Sequence, residues 1–328
     1  MDKKVLVTRE VFDETIEELK RHFEVESNQS DRLFSRDELI ARLQCKDGVQ
    51  TASSERIDGE LLDRCPTVRA VCNTAVGFNN IDVEACTRRG VMVTNTPGVL
   101  TESVADYSMA MILATCRRMT EGEQQLRAGE WKGTYLKHML GHDVHHATLG
   151  IFGLGRIGQA IARRARGFDM QILYHNRSRA APEVERSLGV IYVSKDELLR
   201  RADIVLLILP YTPETHHFIG AKELASMKPS AVLVNMARGG IVDDAALIEA
   251  LGNETIWAAG LDVYENEPKL HPGFLRLKNV VLSPHIASAT EATRRAMAMT
   301  AAKNLVAALS GQVPPNLLNP DYRNYLKK

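Results

Sequence analysis

Six residues near the middle of the chain, Gly153-Leu154-Gly155-Arg156-Ile157-Gly158, constrain its fold more than any other segment. The apolar run at 148–152 that precedes them is typical of a buried strand, and the run at 159–165 that follows is typical of a helix. A glycine-rich turn between a strand and a helix is the context of a dinucleotide-binding loop, whereas the same pattern elsewhere is a weak indication. We therefore predict a cofactor-binding turn here, with a plain strand-to-helix turn as the alternative.

The residues of this loop have separate predicted roles. Gly153 permits the tight turn, Gly155 carries no side chain to block a pyrophosphate, and Gly158 lets the helix pack close to the sheet. The N-terminus of the following helix offers unpaired backbone N–H groups, including those of Arg156 and Ile157, to phosphate oxygens. All five residues are predicted to bind the cofactor.

The amino-acid composition indicates which kinds of partner the chain is unsuited to bind. Its 328 residues suit about two domains, and its 41 Lys and Arg residues equal its 41 Asp and Glu residues in number. A chain without net charge has no broad electrostatic field for nucleic acid or an anionic membrane. No apolar run approaches the roughly 20 residues of a membrane span, and the N-terminal segment 1–7 has too few apolar residues for a signal peptide. We expect neither nucleic acid nor a membrane as a partner.

The cysteines and histidines indicate the redox compartment and bear on metal binding. The five cysteines are odd in number, lie within the first 116 residues and have no C-x-x-C spacing. This pattern favours reduced thiols in the cytoplasm over a disulfide framework or a zinc site. The histidine pairs at 145–146 and 216–217 have no neighbouring cysteine or carboxylate at ligand spacing. We therefore expect a cytoplasmic protein without a metal.

Apolar runs alternate with helical patterns along most of the chain, which is typical of parallel sheets covered by helices. The patterns predict strands at 4–8, 23–26, 48–52, 68–73, 91–94, 148–152, 171–174, 190–193, 204–209, 231–235, 258–261 and 280–283. They predict helices at 14–22, 35–43 with Ser35 and Glu38 as a capping box, 59–63, 83–89, 101–125, 159–165, 244–251 and 291–309, and an irregular segment at 129–146. The predicted fold class is α/β with two doubly wound parallel-sheet domains. A Rossmann nucleotide domain at 101–286 is inserted into a flavodoxin-like substrate domain at 1–100 plus 287–328.

The residues after the second strand of the nucleotide fold indicate which dinucleotide binds. In NAD-binding folds an acidic residue at this position holds the ribose 2′-hydroxyl. Here the strand is followed by His175-Asn176-Arg177-Ser178-Arg179, without Asp or Glu. The guanidinium of Arg177 or Arg179 would bind a 2′-phosphate, and Asn176 and Ser178 would add neutral donors. We predict NADP(H) as the preferred cofactor and NAD(H) as the alternative; the structural alternative is a solvated loop.

Three further segments follow predicted strands and carry the residue types that hydride transfer to a keto acid requires. In an open parallel sheet this edge borders the ligand crevice. The reaction needs a proton donor near neutral pH, a carboxylate that orients it and a cation for the acid group. His285, Glu267 and Arg238 are of these types. Each also has a structural alternative: a surface arginine, a loop-ending glutamate before Pro268 and a buried histidine after Pro284.

Five motifs in sequence order resemble the signatures of the D-isomer-specific 2-hydroxyacid dehydrogenases. They are the glycine loop at 153–158 and the segments at 209–215, 235–239, 260–268 and 283–288. The resemblance covers essentially the whole chain. Within the family, the segments at 100–106 and 144–146 are most similar to the branch of bacterial glyoxylate/hydroxypyruvate reductases, which also reduce 2-ketogluconate.

The resemblance implies roles for individual residues. Arg238 would anchor the substrate carboxylate and carbonyl, Glu267 would pair with the acid/base His285, and Asp262 would support the nicotinamide side of the site. Further implied contacts are Val76 and Gly77, whose N–H groups meet the substrate carboxylate, Leu100 at the substrate, and Pro210, Thr215 and Ala237 at the cofactor. The chain departs from the family at Asn79, where many relatives have Asp, which leaves the polar contacts of that loop open.

The resemblance also implies the reaction. We expect NADPH-dependent reduction of glyoxylate and hydroxypyruvate, with 2-ketogluconate as a third candidate, to D-2-hydroxy acids in a cleft between the domains. Family members are homodimers joined through the nucleotide domain, with the arm around 131–146 reaching the neighbour. One alternative is an NAD-dependent dehydrogenase of the lactate or phosphoglycerate type. The other is a non-catalytic nucleotide-sensing protein similar to a corepressor.

Overall fold

The computed structural model describes residues 3–326. The chain forms two compact units, one of Met1–Leu100 with Ala289–Lys328 and one of Thr101–Ser288. The second crossing between the units therefore lies after Ser288, whereas the sequence prediction places it after residue 286. Met1 and Asp2, which begin the segment considered for a signal peptide, lie outside the described residues.

The first unit contains a five-stranded sheet within the described residues, and all of its neighbouring strands are parallel. Its order, β2-β1-β3-β4-β5, is that of flavodoxin-like folds. This confirms the predicted architecture of the first unit. The strands are β1 Lys4–Val7, β2 Glu24–Ser27, β3 Gly48–Thr51, β4 Ala70–Asn73 and β5 Met92–Thr94.

The second unit contains a parallel sheet with seven strands among residues 3–326, in the order β12-β11-β10-β9-β6-β7-β8. The chain leaves the central β6 in one direction and later returns to β9 on its other side, which is the Rossmann arrangement. The predicted fold class is therefore confirmed. The strands are β6 Thr148–Phe152, β7 Gln171–His175, β8 Val190–Tyr192, β9 Ile204–Leu207, β10 Val232–Asn235, β11 Ala258–Leu261 and β12 Val280–Leu282.

Helices connect these strands. They are α1 Asp13–Lys20, α2 Arg36–Leu43, α3 Gly59–Arg64, α4 Val83–Arg88, α5 Thr101–Cys116, α6 Met119–Arg127, α7 Arg156–Ala165, α8 Pro182–Leu188, α9 Lys195–Arg201, α10 Ala221–Ser226, α11 Asp244–Gly252 and α12 Glu291–Leu309. Ser35 and Glu38 form the predicted capping box at the start of α2. None of the helices in residues 3–326 is long and apolar enough to cross a membrane.

Helices cover both faces of the first sheet. Val5 and Val7 face one side of β1 and belong to a core with Leu305 of α12, whereas Leu6 faces the other side and belongs to a core with Ile40 of α2. In the second unit, Leu207 of β9 belongs to a core with Leu198 of α9 and Leu247 of α11. Because both faces of a parallel sheet are buried, the strand ends are left for function.

The predicted single helix at 101–125 is wrong, because the chain breaks between α5 and α6. Arg118 at the break has a positive φ of 53°, which is incompatible with a continuous helix. The carbonyl of Cys116 accepts the N–H of His142 at 2.8 Å, and a Cβ on Gly141 would lie 2.4 Å from that oxygen. The end of α5 is thus satisfied by a distant segment that helical periodicity does not reveal. Residues 129–146 form neither helix nor strand, as predicted.

Candidate active site

The predicted cofactor and catalytic residues of the second unit follow the carboxyl ends of six strands of one parallel sheet. Gly153 follows β6, Asn176 follows β7, Pro210 follows β9, Arg238 follows β10, and Asp262 and His285 follow β11 and β12. Carboxyl ends of parallel strands meet at one edge, and the neighbouring pair β6 and β9 marks the switch point of this sheet. The geometry therefore groups these segments along a single rim.

Two glycines of the loop after β6 are required by the protein itself. Gly153 has a φ of +106°, and a Cβ there would lie 2.6 Å from the carbonyl oxygen of Ile208. A Cβ on Gly158 would lie 2.1 Å from the carbonyl oxygen of Gly153. The loop and the start of α7 are therefore too close for any other residue at these two positions.

Gly155 differs from the other two glycines, because the described residues leave open space around it. A Cβ there would meet no atom within 4 Å, and the φ of −79° suits any residue. Gly155 is also the N-cap of α7 and provides no side chain to cap the helix. The first-turn N–H groups and the space beside Gly155 fit a dinucleotide pyrophosphate, which is stabilised by the positive end of the helix dipole.

Asn176 supports the glycine loop from the end of β7. Its Oδ1 accepts the N–H of Leu154 at 2.7 Å, which fixes the middle of the loop. Asn176 thus has a structural role in addition to its predicted cofactor contact.

The two arginines predicted to suit NADP(H) have different surroundings. Arg179 forms two 2.8 Å hydrogen bonds to Glu185 of α8, and these bonds, with one from Tyr174, hold the pKa of Glu185 at about 2. Arg177 is exposed and contributes, after the Thr212 hydroxyl, to lowering the pKa of Glu214. The ion pair with Glu185 holds Arg179 in place, so Arg177 is the guanidinium better suited to a 2′-phosphate.

Other predicted cofactor residues shape turns at the strand ends. The hydroxyl of Thr215 donates to the carbonyl of Pro210 at 2.9 Å and accepts the N–H of Thr212 at 2.7 Å. The N–H of Ala237 donates to Oδ1 of Asn235 at 3.1 Å. These bonds fix the loops after β9 and β10, and their contact with the cofactor stays a prediction.

Arg238 lies in a tight turn after β10. Asn235, the last residue of the strand, donates from Nδ2 to the carbonyl of Arg238 at 3.1 Å, and the Arg238 guanidinium donates to the carbonyl of Ala237 at 2.6 Å. Burial lowers the pKa of Arg238, and the charge of Glu267 opposes this shift. Within residues 3–326 no carboxylate forms an ion pair with Arg238, so its guanidinium can bind a substrate carboxylate.

His285 and Glu267 form the predicted pair. Nδ1 of His285 lies 2.8 Å from Oε2 of Glu267, and Oε1 of Glu267 accepts the N–H of Tyr264 at 2.9 Å. The two side chains are about one-third exposed, at 35% and 33%. Because Nδ1 faces the carboxylate, Nε2 is the ring nitrogen that can reach a ligand.

Hydrogen bonds and charges keep Glu267 ionised. Burial by itself would raise the pKa of Glu267, but the hydrogen bond and charge of His285, the N–H of Tyr264 and the charge of Arg238 hold it below its ordinary value. An ionised carboxylate orients the imidazole and stabilises its protonated form. The pair is therefore suited to donate a proton from Nε2.

Asp262 holds the loop that carries His285. Asp262 is 1% exposed, and its carboxylate accepts the hydroxyl of Ser283 at 2.5 Å and the N–H groups of Ile286 and Ala287 at 2.9 and 3.0 Å. The resemblance implied a role on the nicotinamide side of the site. A buried carboxylate with three donors from one loop fits a positioning role for His285 better than a direct cofactor contact.

Tyr264 and Ser283 are supporting residues that sequence reasoning missed. The Tyr264 hydroxyl lies 3.0 and 2.8 Å from the carbonyl oxygens of Leu261 and Ser283, which joins the ends of β11 and β12. A Cβ on Gly239 would lie 1.7 Å from the carbonyl oxygen of Tyr264, so the β10 and β11 loops touch through their backbones. The sequence signal for these residues is their place inside the motifs at 235–239, 260–268 and 283–288.

The first unit carries the remaining predicted substrate residues. Val76 and Gly77 lie in the partly exposed loop that follows β4, and Asn79 beyond them is exposed. Leu100 is the last residue of this part of the unit and is 7% exposed. The substrate contacts of Val76, Gly77 and Leu100 stay predictions.

The ligand edge of this Rossmann sheet carries a glycine loop, an arginine without an ion pair among residues 3–326, and a histidine–glutamate pair. These features define a nicotinamide-dependent dehydrogenase. Comparison with known proteins gives the family. The family model described as D-isomer specific 2-hydroxyacid dehydrogenase, NAD binding domain, matches residues 109–287. The chain belongs to the D-isomer specific 2-hydroxyacid dehydrogenase family and is an oxidoreductase that uses NAD(P).

Individual relatives agree with this assignment over nearly their full lengths. The chain is 47% identical to a glyoxylate reductase of Thermococcus onnurineus over 331 residues, which cover 100% of this chain and 99% of the relative. It is 49% identical to a glyoxylate reductase of Thermococcus kodakarensis, with 98% and 97% covered. A solved NADPH-dependent glyoxylate/hydroxypyruvate reductase of Sinorhizobium meliloti, in complex with NADP and malonate, is 35% identical with a TM-score of 0.86 and 98% of each chain covered.

Proposed function

We propose that this enzyme reduces glyoxylate to glycolate. We propose that it also reduces hydroxypyruvate, with 2-ketogluconate as a third candidate, to the D-2-hydroxy acid. In this reaction a keto acid, NADPH and a proton give a hydroxy acid and NADP⁺. The observation that carries the proposal is the 2.8 Å pair of His285 and Glu267 at the same sheet edge as Arg238, which lacks an ion pair within residues 3–326. The names of the two Thermococcus relatives support glyoxylate as a substrate.

Each residue has one role in this reaction. The nicotinamide, when bound, supplies a hydride to the keto carbon. Arg238 holds the substrate carboxylate, and the N–H groups of Val76 and Gly77 add hydrogen bonds to it. His285 donates a proton from Nε2 to the oxygen that becomes negative, and Glu267 stabilises the protonated imidazole.

We propose NADPH over NADH because of the residues after β7. No carboxylate stands in the segment 175–179, so nothing there would repel a 2′-phosphate or hold a 2′-hydroxyl as NAD-binding folds do. Arg177 is exposed at this position and offers a bidentate partner for a phosphate. The solved Sinorhizobium relative, whose complex contains NADP, supports the same preference.

The two arginines of this segment provide a matched test of cofactor preference. Arg177→Ala should lower kcat/KM for NADPH and leave kcat/KM for NADH unchanged, because only NADPH carries the phosphate. Arg179→Ala also removes one positive charge, but Arg179 already forms an ion pair with Glu185. This variant should therefore change kcat/KM for NADPH much less. Equal losses in both variants, or a higher kcat/KM with NADH in the unchanged enzyme, would contradict the assignment.

A steady-state screen tests the substrate. Glyoxylate, hydroxypyruvate, 2-ketogluconate and pyruvate are compared with both cofactors, and D-lactate and D-3-phosphoglycerate are tested with NADP⁺ and NAD⁺. The proposal predicts the highest kcat/KM for glyoxylate or hydroxypyruvate with NADPH. A higher value for D-lactate or D-3-phosphoglycerate with NAD⁺ would favour the alternative enzyme.

We also propose that the enzyme is a cytoplasmic homodimer joined through the second unit. Large apolar side chains are exposed on α6 and in the irregular segment that follows it, namely Met119, Leu126, Trp131, Tyr135, Leu136 and Leu140. A concentration of exposed apolar groups on one stretch of chain is typical of an interface. Light scattering should give the mass of a dimer, and Leu136→Glu should give the 36.4 kDa monomer. A wild-type monomer at micromolar concentration would contradict this proposal.

A further inference from the structure

Three consecutive carbonyl groups of the loop after β4 are held by hydrogen bonds inside the first unit. The carbonyl of Ala75 accepts the N–H of Thr96 at 3.0 Å. The carbonyl of Val76 accepts Nδ2 of Asn95 at 2.8 Å, and that of Gly77 accepts Nδ2 of Asn73 at 2.8 Å. The backbone of this loop is therefore fixed from one side.

This anchoring determines where the neighbouring N–H groups point. In a planar trans peptide the carbonyl and the following N–H point in opposite directions. Anchoring the carbonyls of Ala75 and Val76 therefore turns the N–H groups of Val76 and Gly77 away from Thr96 and Asn95. Within residues 3–326 these two N–H groups have no hydrogen-bond partner. They are left available to a ligand.

Asn95 is itself held in a closed ring of three asparagines. Its N–H donates to the carbonyl of Asn316 at 3.4 Å, Nδ2 of Asn316 donates to Oδ1 of Asn304 at 3.2 Å, and Nδ2 of Asn304 donates to the carbonyl of Asn95 at 3.1 Å. Asn95 and Asn304 are 7% and 1% exposed. Buried polar groups in such a ring have one low-energy arrangement, because each member would otherwise lose a partner.

We propose that Asn95, fixed by Asn304 of α12 and by Asn316, is a positioning residue that aims the N–H of Gly77 at the substrate carboxylate. This inference rests on the proposed function, in which the N–H groups of Val76 and Gly77 bind that carboxylate. Asn304 supports the peptide between Val76 and Gly77 indirectly, because it holds Asn95 in place. Neither asparagine needs to touch the substrate.

The test compares Asn95→Ser and Asn304→Leu with a matched buried asparagine. Asn95→Ser removes the Nδ2 donor to the carbonyl of Val76, and Asn304→Leu removes the Nδ2 donor to the carbonyl of Asn95, so the Gly77 N–H is no longer held in one direction. We expect KM for glyoxylate to rise about tenfold, the loss of roughly one hydrogen bond to a charged group. The kcat at saturation and the Kd for NADPH should stay close to those of the unchanged enzyme, because the lost contact holds substrate and transition state alike.

Asn319 provides the control. It is 5% exposed, accepts the N–H of Val93 at 2.8 Å and donates to the carbonyl of Val91 at 2.8 Å, and none of its hydrogen bonds within the described part of the chain goes to the ring. Asn319→Leu should lower Tm and leave KM unchanged. If Asn304→Leu does not fold, Asn316→Ala tests the ring from its partly exposed member, and its KM should rise in the same direction.

The outcomes separate this inference from the proposed function. If the unchanged enzyme reduces glyoxylate but the Asn95 and Asn304 variants share the KM of Asn319→Leu, the positioning role is overturned alone. A rise in KM in all three variants would show general loosening and would also overturn it. If the unchanged enzyme reduces no keto acid, the proposed function fails and this inference fails with it.

Discussion

Nδ1 of His285 and Oε2 of Glu267 lie 2.8 Å apart although the two residues follow different strands. Glu267 follows β11 and His285 follows β12, and these strands are parallel neighbours. The pairing leaves Nε2 of the imidazole as the group that can protonate a substrate oxygen.

The first prediction concerns the substrate carboxylate. Arg238→Ala should raise KM for glyoxylate by about two orders of magnitude and lower kcat, because it removes a charged group that binds the acid. Arg238→Lys keeps the charge but loses the bidentate geometry, so its KM should lie between the values of the unchanged enzyme and of Arg238→Ala. The Kd for NADPH should change little in both variants. An unchanged KM in Arg238→Ala would mean that another cation holds the carboxylate.

The second prediction uses the lowered pKa of Glu267. A carboxylate whose folded-state pKa lies below the unfolded value near 4.3 stabilises the protein above that pH. This contribution is lost as pH falls through the folded-state pKa. Urea unfolding of the unchanged enzyme and of Glu267→Gln should therefore differ by about 1 kcal/mol or less near neutral pH, since the pair is partly exposed. The difference should shrink below pH 4, and a difference independent of pH would contradict the account.

The third prediction separates two glycines of the cofactor loop. Gly155→Ala should fold with an unchanged or slightly higher Tm, because its Cβ enters open space, but its Kd for NADPH should increase. Gly158→Ala places a Cβ 2.1 Å from the carbonyl oxygen of Gly153 and should lower Tm even without cofactor. Thermal melts with and without NADPH distinguish the two. Tight NADPH binding by Gly155→Ala would place the pyrophosphate elsewhere.

The fourth prediction concerns Asp262. Asp262→Asn leaves one of the three donors of the His285 loop without an acceptor, so it should cost about 2–4 kcal/mol in the free energy of unfolding. Displacement of His285 should also lower kcat by up to about 100-fold. Ser283→Ala removes a single donor and should have a smaller effect on both quantities. A kcat for Asp262→Asn equal to that of Ser283→Ala would argue against the positioning role.

The sequence predicts each of the twelve strands within residues 3–326, because most of them are short apolar runs that the sheet buries. The strand bounds of β6 and β11 and the helix bounds of α12 agree with their patterns, since periodicity and local turns decide them. The glycine loop is predictable for the same reason: strand, turn and helix are adjacent in the chain. The types of residue at Arg238, Glu267 and His285 follow from the chemistry that the strand ends support.

Contacts between distant residues explain what the sequence did not predict. The break between α5 and α6 depends on His142, which satisfies the carbonyl of Cys116 from beyond the next helix. The different surroundings of Arg177 and Arg179 depend on Glu185 in α8. The bonds of Asp262 reach the loop after the next strand. Such pairings require the folded sheet, so local periodicity contains no signal for them.

The central claim is that His285 is the proton donor, and the turnover of His285→Ala tests it most directly. We expect kcat for glyoxylate to fall by roughly 10²- to 10⁴-fold, with the Kd for NADPH unchanged. His217→Ala is the matched control, because His217 also pairs with a glutamate, Glu265 at 2.5 Å, and should keep most of the activity. A near-normal kcat in folded, NADPH-binding His285→Ala would contradict the account.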